Sequence, residues 1–191
     1  MRRALLLVLY NLLLPVVALF AAPGWIRKMA QRGGLSKRLW ERLGIFGRDA
    51  EFEPTGGVYM HAVSVGEVLI ALKLIGRWRE RDPDGTFVLA ATTSTGFSLA
   101  EEKAPKGVRV IYSPVDLPWL VAGMFRRFNP RLLVLIESEL WPNLLWMARR
   151  RGVPTVLANA RLSPRSARRY RKLSWLAQPM LDLVDTVLAQ A

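Results

Sequence analysis

Two groups of carboxylates have the residue type and the setting for acid–base or electrostatic chemistry. Glu67 follows Gly66 after a short apolar segment, in the first turn of a predicted helix. Glu137 and Glu139 come directly after the near-continuous apolar segment Leu132–Ile136. A carboxylate can take up a proton during catalysis, and an ionised carboxylate can stabilise a positively charged transition state. These three acids are therefore the first candidates for an active site.

Each of these acids also has a structural interpretation, and both interpretations stay open at this point. Ser64 and Glu67 have the spacing of a capping box, in which the two side chains satisfy backbone N–H groups at the start of a helix. Glu137 and Glu139 could form salt bridges with the arginines of residues 161–169 instead of supplying charge to a reaction.

The composition narrows the possible chemistry further. The chain of 191 residues has no cysteine and a single histidine, His61. These counts exclude disulfides, thiolate metal sites, iron–sulfur clusters and a cysteine nucleophile, and they disfavour a histidine metal site or a Ser-His-Asp triad. The sequence contains neither a Gly-x-Gly-x-x-Gly nor a Walker A motif, so it predicts no nucleotide site of those types. We expect no metal and no cofactor, and His61 fits a structural role as well as a functional one.

The elements that must position the acids follow from the hydrophobic pattern. Apolar, strand-like segments alternate with segments of helical spacing from residue 56 onward, which predicts an α/β, Rossmann-like domain with a parallel sheet and helices on both faces. The predicted strands are Val58–Val63, Thr86–Thr92, Val108–Tyr112, Leu132–Ile136, Val153–Leu157 and Thr186–Leu188, and the predicted helices include Gly66–Arg79, Leu117–Phe128, Leu140–Arg150, Ser163–Trp175 and Gln178–Leu183.

The topology also predicts where a ligand binds, because ligands of such sheets lie outside the carboxyl ends of the strands. The segments that follow the predicted strands contain Glu67, Glu137, the hydroxyl-rich turn Thr92–Gly96 and residues 159–163. A turn of this kind before a helix can offer backbone N–H groups and hydroxyls to an anion or a sugar. We therefore expect these segments to form one binding face.

Residues 1–25 are predicted to be a membrane anchor. Asn11 is the only strongly polar side chain between Ala4 and Ala22, and a helix of that length at about 1.5 Å per residue reaches across a bilayer core. A cleaved signal peptide is the main alternative, but a cut after Ala22 would place Phe20 where a small residue is required. A shallow insertion with both ends on the cytoplasmic side also stays open.

Positive charge is concentrated in two parts of a chain whose net charge is +13. Residues 26–55 form a predicted basic amphipathic connector that could contact lipid, pack on the domain through its apolar side, or do both. Four apolar residues lie among its cations: Trp40, Leu43, Ile45 and Phe46. Residues 149–172 contain nine arginines and lysines and no acid. The expected partner is therefore anionic: a membrane, a phosphorylated lipid or, least favoured because Tyr170 is the only aromatic residue in the second part, nucleic acid.

Five motifs, taken together and in this order, resemble the lipid A Kdo transferases, the 3-deoxy-D-manno-octulosonic acid transferases of Gram-negative envelopes. They are His61–Glu67 (HAVSVGE), Thr93–Gly96 (TSTG), Pro114–Pro118 (PVDLP), Glu137–Asn143 (ESELWPN) and Asn159–Ser166 (NARLSPRS). The apolar N-terminus and the basic connector are also similar to that family. Ser94 is a difference, because the family's pattern has proline at this position.

The resemblance implies a two-lobed GT-B glycosyltransferase of lipopolysaccharide core biosynthesis, anchored in the inner membrane with its domains on the cytoplasmic side. It would transfer Kdo from CMP-Kdo to a lipid A precursor (lipid IVA) with inversion. Residues 56–191 would form the acceptor-binding domain, while the donor-binding second lobe would be missing from this chain. The alternative is a catalytically incomplete fragment that only binds lipid A or anionic inner-membrane lipids.

The resemblance also implies roles for individual residues. By motif position, Glu67 would be the proton acceptor and Glu137 would stabilise the transition state. The residues expected to contact the acceptor are Ser64, Gly66, Thr93, Thr95, Gly96, Asn159, Arg161 and Ser163. No metal takes part in this expected reaction, and no nucleic acid is expected as a partner.

Overall fold

The computed structural model describes residues 2–31, 37–47, 55–137, 140–161, 168, 171–172 and 174–190. In this part of the chain a long helix and a short 3₁₀ helix precede strands that alternate with helices. The elements are α1 (Arg2–Gln31), the 3₁₀ helix (Lys37–Leu43), β1 (Val58–Ala62), α2 (Val65–Arg79), β2 (Phe87–Ala91), α3 (Ser94–Lys103), β3 (Val108–Tyr112), α4 (Pro118–Phe128), β4 (Leu132–Ile136), α5 (Pro142–Arg150), β5 (Thr155–Ala160), α6 (Ser174–Leu181) and β6 (Thr186–Ala189).

The six strands form one sheet in the order β3-β2-β1-β4-β5-β6, and all neighbouring pairs are parallel. β1 lies inside the sheet, where Val58 is opposite Phe87 of β2 on one side and Leu132 of β4 on the other. This is the strand order of the Rossmann fold. The predicted α/β fold class is therefore confirmed.

Two element boundaries differ from the predicted ones next to a proline. β5 begins at Thr155 and not at Val153, because Pro154 has no N–H to donate to the strand ladder. α5 begins at Pro142 and not at Leu140, because proline suits the first position of a helix and not its interior.

Alternate side chains of the strands enter two separate cores. Val58 and Met60 of β1 pack with α2 and α3, whereas Tyr59 packs with α4, α5 and the end of α6. All side chains of β1 and β2 are buried. The near-continuous apolar strands of the sequence are thus explained by burial on both faces.

The 3₁₀ helix packs on the outer edge of β3 through its charged side chains. Glu41, which is 3% exposed, accepts a hydrogen bond from Tyr112 N at 2.8 Å and forms a salt bridge with Arg38 at 2.8 Å. Arg38 also donates to Val110 O. Arg42, which is 6% exposed, donates to Thr92 O at 2.6 Å. Charged groups of the connector therefore satisfy the strand edge.

The apolar side chains of the same segment point the other way. Trp40, Leu43 and Ile45 are exposed, and only Phe46 packs inward, with its ring centroid 5.1 Å from that of Phe128. Of the interpretations left open for the connector, packing on the domain through its apolar side describes Phe46, whereas Trp40, Leu43 and Ile45 remain available for contact with lipid. The buried charges explain this reversal, because backbone groups at a strand edge need polar partners.

α1 is one continuous helix that contains the predicted anchor and extends to Gln31. Among the described residues, Leu5–Gly24 is a stretch long and apolar enough to cross a membrane. Many of its large side chains are exposed, among them Leu12 at 66% and Phe20 at 81%. Such a surface is what lipid would cover.

Substitutions at two glycines, Gly57 just before β1 and Gly76 in α2, compare a tightly packed position with an open one. A methyl group at Gly57 would overlap the carbonyl oxygen of Thr86, whereas a methyl group at Gly76, on the exposed side of α2, meets nothing within 4 Å. We expect Gly57→Ala to lower the free energy of unfolding by about 1–3 kcal/mol and Gly76→Ala to raise it by about 0.5–1 kcal/mol. Denaturant unfolding in one detergent measures both, and shifts of the same sign would contradict the packing described.

Candidate functional site at the carboxyl edge of the sheet

Glu67 lies at the start of α2, and the turn that follows β1 holds its carboxylate. Oε2 accepts a hydrogen bond from Val63 N at 2.8 Å. Oε1 accepts hydrogen bonds from Ser64 Oγ at 2.8 Å and from Ser64 N at 3.3 Å. Ser64 Oγ in turn accepts from Glu67 N at 3.3 Å. The capping box predicted from the spacing of the two residues is therefore present.

This structural role does not use the full capacity of the carboxylate. Glu67 is 5% exposed, and its oxygens face donors of the helix N-terminus. A carboxylate has about four lone-pair sites, and the hydrogen bonds from Val63 and Ser64 occupy three of them. Contacts with the described residues leave one lone pair of Oε2 for another donor, so the carboxylate is held in a fixed orientation and can still accept a proton.

The turn after β2 packs against the start of α2. Thr93 is the N-cap of α3, where its Oγ1 accepts a hydrogen bond from Gly96 N at 3.1 Å, and Thr93 N donates to Val63 O at 3.2 Å. A methyl group at Gly96 would lie 2.9 Å from Thr93 Oγ1 and 3.4 Å from Val68 Cγ2. Glycine at position 96 therefore lets the two helix starts approach, and Ser64, Thr93 and Gly96 lie together.

Glu137 ends β4 with a left-handed backbone, at a φ of 64°, which is uncommon for a residue with a long side chain. Its N–H donates to Ala158 O at 2.9 Å, and its carboxylate lies 4.0 Å from Arg161 Nη1. The predicted salt bridge to the basic segment is therefore present at Arg161. Because Arg161 is largely exposed, this contact is worth little in stability. A left-handed backbone costs about 1–3 kcal/mol and occurs mainly at functional sites.

Asn159 is also left-handed, at a φ of 55°, and marks a bulge in β5, where the register with β6 shifts between Ala158 and Ala160. Asparagine adopts this conformation more readily than most residues. A bulge of this kind redirects the neighbouring side chains. Among the other candidate residues, Gly66 and Thr95 are exposed at the starts of α2 and α3. Ser163 and Glu139 lie outside the described part of the chain.

The two groups of candidate residues lie on the two sides of the point where the strand order reverses. β2 and β3 extend the sheet on one side of β1, and β4, β5 and β6 extend it on the other. In open α/β sheets this reversal forms the crevice in which ligands bind. The β1–β2 side carries Ser64, Glu67, Thr93 and Gly96, and the β4–β5 side carries Glu137, Asn159 and Arg161.

A cavity of about 190 Å³ lies on the α4–α5 face of the sheet, and Leu14 of α1 forms part of its wall. His61 and Trp141 also line it. His61 Nδ1 is 3.2 Å from Ser113 Oγ, whereas His61 Nε2 and Trp141 Nε1 have no hydrogen-bond partner among the described residues. Burial lowers the pKa of His61 to about 4, so the imidazole is neutral at pH 7.

Sequence reasoning missed Asp116, which lies at the end of the loop after β3 and is 4% exposed. Its carboxylate accepts hydrogen bonds from Asn143 N at 3.0 Å and Leu144 N at 2.9 Å. Burial raises the pKa of Asp116 to about 6, and these hydrogen bonds only partly oppose that change. Asn143 also pairs with Asn11 of α1. Two features of the sequence could have indicated this contact: Asn11 within the apolar N-terminal segment and the acid inside the PVDLP motif.

The comparison with known families decides which family the chain belongs to. The family model described as 3-deoxy-D-manno-octulosonic-acid transferase (kdotransferase) matches residues 37–191. The chain belongs to this Kdo transferase family. The resemblance drawn from the five motifs is thereby confirmed, and the matched range contains all the candidate site residues.

Curated Kdo transferases agree with this assignment. The 3-deoxy-D-manno-octulosonic acid transferase of Haemophilus influenzae is 36% identical over 154 residues, which is 81% of this chain and 36% of that protein. That of Chlamydia muridarum is 30% identical over 191 residues, which is 100% of this chain and 44% of that protein. The chain thus spans less than half of each relative. Among solved structures, the GsuK RCK domain overlaps 78% of this chain and 30% of that chain at 16% identity, but the TM-score of 0.43 is too low to show a common fold.

His61 allows a direct test of burial next to the cavity, because the Kdo transferase chain has only one histidine. We expect the chemical shift of its imidazole C2 proton to change with a midpoint near pH 4 in the folded chain and near pH 6.5 in the unfolded chain. NMR titration in detergent, with and without denaturant, measures both midpoints. The unfolded chain binds the proton first as pH falls, so the stabilising contribution of His61 is complete above about pH 6.5 and is lost toward pH 4. Equal midpoints would contradict the burial.

Proposed function

We propose that this chain is the acceptor-binding lobe of a GT-B Kdo transferase that moves Kdo from CMP-Kdo to a lipid A precursor of the lipid IVA type. Membership in the family supports Kdo transfer in general. The observation that carries the finer proposal is the position of the Glu67 and Glu137 loops on the two sides of the strand-order reversal. A substrate in this crevice would meet one carboxylate from each side.

In the proposed reaction, the acceptor hydroxyl attacks the anomeric carbon of Kdo while the bond to CMP breaks, which inverts that carbon. The hydroxyl proton passes to the carboxylate of Glu67. Val63 N and Ser64 keep this carboxylate in one orientation, and one lone pair of Oε2 is available for the proton. A base that is already oriented loses little entropy in the reaction. This step needs no metal and no cofactor.

Glu137 is proposed to stabilise positive charge that develops on the sugar. Among the described residues, the ion pair of its half-buried carboxylate is a long contact, 4.0 Å, with the exposed guanidinium of Arg161. Such a contact leaves most of the negative charge available to a substrate. The left-handed backbone of Glu137 is a strained feature of the kind that active sites retain.

The proposed acceptor is an anionic lipid, and the surface of the chain supports this choice. Exposed cations of the basic segment suit phosphate groups: Arg168, Arg171 and Lys172. The exposed apolar side chains of α1 and of the connector suit the acyl region of a membrane. We propose that α1 anchors the chain in the inner membrane, with the sheet domain on the cytoplasmic side. The candidate residues Ser64, Gly66, Thr93, Thr95, Gly96, Asn159, Arg161 and Ser163 would contact the acceptor.

The test joins this chain to the part of the Haemophilus influenzae relative that it does not cover, with the intact relative as the positive control. We expect transfer from CMP-Kdo to lipid IVA in liposomes by the joined protein and none by the 191 residues alone, because the donor site is assigned to the second lobe. Binding of both substrates by the joined protein without transfer would favour the second candidate, a module that only binds lipid A or anionic membranes. The exposed cations are the observation behind that candidate.

The role of Glu67 is tested by Glu67→Gln in the same joined protein. Loss of the base should lower kcat by about 10²–10⁴-fold. The amide can still accept one of the capping hydrogen bonds, so the free energy of unfolding should fall by only about 0.5–2 kcal/mol. The matched control is Glu80→Gln, at the exposed other end of α2, where the side chain contacts only Arg77 in the described structure. Wild-type turnover in Glu67→Gln would show that Glu67 is a cap and not the base.

A further inference from the structure

A small polar cluster joins the apolar helix α1 to the sheet domain. The side-chain amides of Asn11 and Asn143 form two reciprocal hydrogen bonds, of 3.0 and 2.8 Å. Asn143 is 4% exposed, so this pair lies at a real interface. One turn of α1 further on, Leu14 forms part of the wall of the cavity that Trp141 and His61 also line. Asn11, the only strongly polar side chain between Ala4 and Ala22, therefore contacts the protein and not the lipid.

Asp116 connects this pair to the backbone of the domain. α5 has no side-chain cap from its own N-cap residue, Trp141. Asp116 supplies that cap instead, by accepting hydrogen bonds from Asn143 N and Leu144 N, and its carbonyl oxygen accepts a bond from Asn143 Nδ2. The Tyr10 hydroxyl of α1 donates to the same carboxylate. Tyr10, Asn11, Asp116 and Asn143 form the polar cluster.

One residue of the polar cluster, Asn143, follows Glu137 of the candidate site closely in the chain. The structure gives each of these two residues a fixed contact. Glu137 N is bonded to Ala158 O. Asn143 is bonded to Asp116 and to Asn11. Because only a short length of chain separates the two residues, a displacement of Asn143 would also displace Glu137.

We propose that α1 docks on the domain through the polar cluster and that this docking holds the start of α5, shortly after Glu137 in the chain, in place, which makes Asn11 a positioning residue. The docking is inferred from the contacts described and does not rest on the proposed function. Its effect on turnover rests on the function proposed above. A helix that serves only as a tether would have no fixed neighbour in the domain, and its side chains would be interchangeable with other apolar ones.

The first experiment maps the docking by crosslinking, which is simple because the chain has no cysteine. The pair Leu14→Cys and Leu144→Cys, at two positions that line the same cavity, keeps both asparagines and is treated in liposomes with a short bifunctional thiol reagent. A protease site placed in segment 32–36 reveals a crosslink, since the two pieces stay joined after cutting. The control pair is Leu12→Cys, at a 66% exposed position on α1, with Leu144→Cys. We expect a high yield for the first pair only, and equal yields would overturn the docking.

The second experiment measures how accessible position 140, just before α5, is to a thiol reagent. Leu140 packs partly buried against the α4–α5 core, so a Leu140→Cys reporter should react slowly with a maleimide. Adding Asn11→Leu, which removes the polar contact but keeps the anchor apolar, should speed labelling about tenfold or more. A Glu102→Cys reporter on the exposed side of α3 should not respond. An unchanged rate at Leu140→Cys would overturn the positioning role even if the crosslink forms.

Turnover supplies a readout that a general loss of stability would not reproduce. In the joined protein, Asn11→Leu should lower kcat about 10- to 100-fold, as expected for a displaced catalytic group, while the KM for CMP-Kdo and the resistance to carbonate extraction stay unchanged. Unchanged kcat would overturn the positioning role. If the wild-type joined protein is itself inactive, the proposed function fails, while the crosslinking and labelling results still decide the inference.

Discussion

The reversal of strand order between β1 and β4 is the constraint on which the rest of the structure depends. Because β1 is followed in space by β2 on one side and β4 on the other, the loops after β1 and β4 leave the sheet in opposite directions and leave a crevice between them. Parallel pairing brings the ends of these two strands to the same edge. The described candidate residues, from Ser64 to Arg161, lie close to this edge because the chain passes it once per strand.

The site combines stabilising and chemical roles in the same atoms. The carboxylate of Glu67 caps α2, and Asp116 caps α5 from a distant turn. Helix starts need such partners whether or not a reaction takes place. A carboxylate used for chemistry at a helix start therefore comes with its orientation already fixed by folding. This overlap explains why the spacing of Ser64 and Glu67 alone could not separate a cap from a base.

The sequence predicted the fold well because strands buried on both faces leave a strong apolar pattern. Five strands of the sheet, β1, β2, β3, β4 and β6, lie within one residue of their predicted bounds. The contacts of single side chains could not be predicted in the same way. The burial of Glu41 and Arg42 against β3, the pairing of Asn11 with Asn143 and the cap that Asp116 gives to α5 all join residues distant in the chain. Hydrophobic periodicity carries no information on such pairs. The order of the motifs indicated the family, and the spacing of Ser64 and Glu67 predicted the capping box.

The two margins of the sheet are unlike. Along β3, the 3₁₀ helix covers the strand edge with Arg38 and Glu41, so another strand cannot add there. Along β6, all four residues are exposed, including Val187 and Leu188. An uncovered strand edge is a template for pairing with a further chain. Within the described part of the chain, pairing with a further strand is therefore possible along β6 and not along β3, so β6 is the edge at which a following segment or a second copy would extend the sheet.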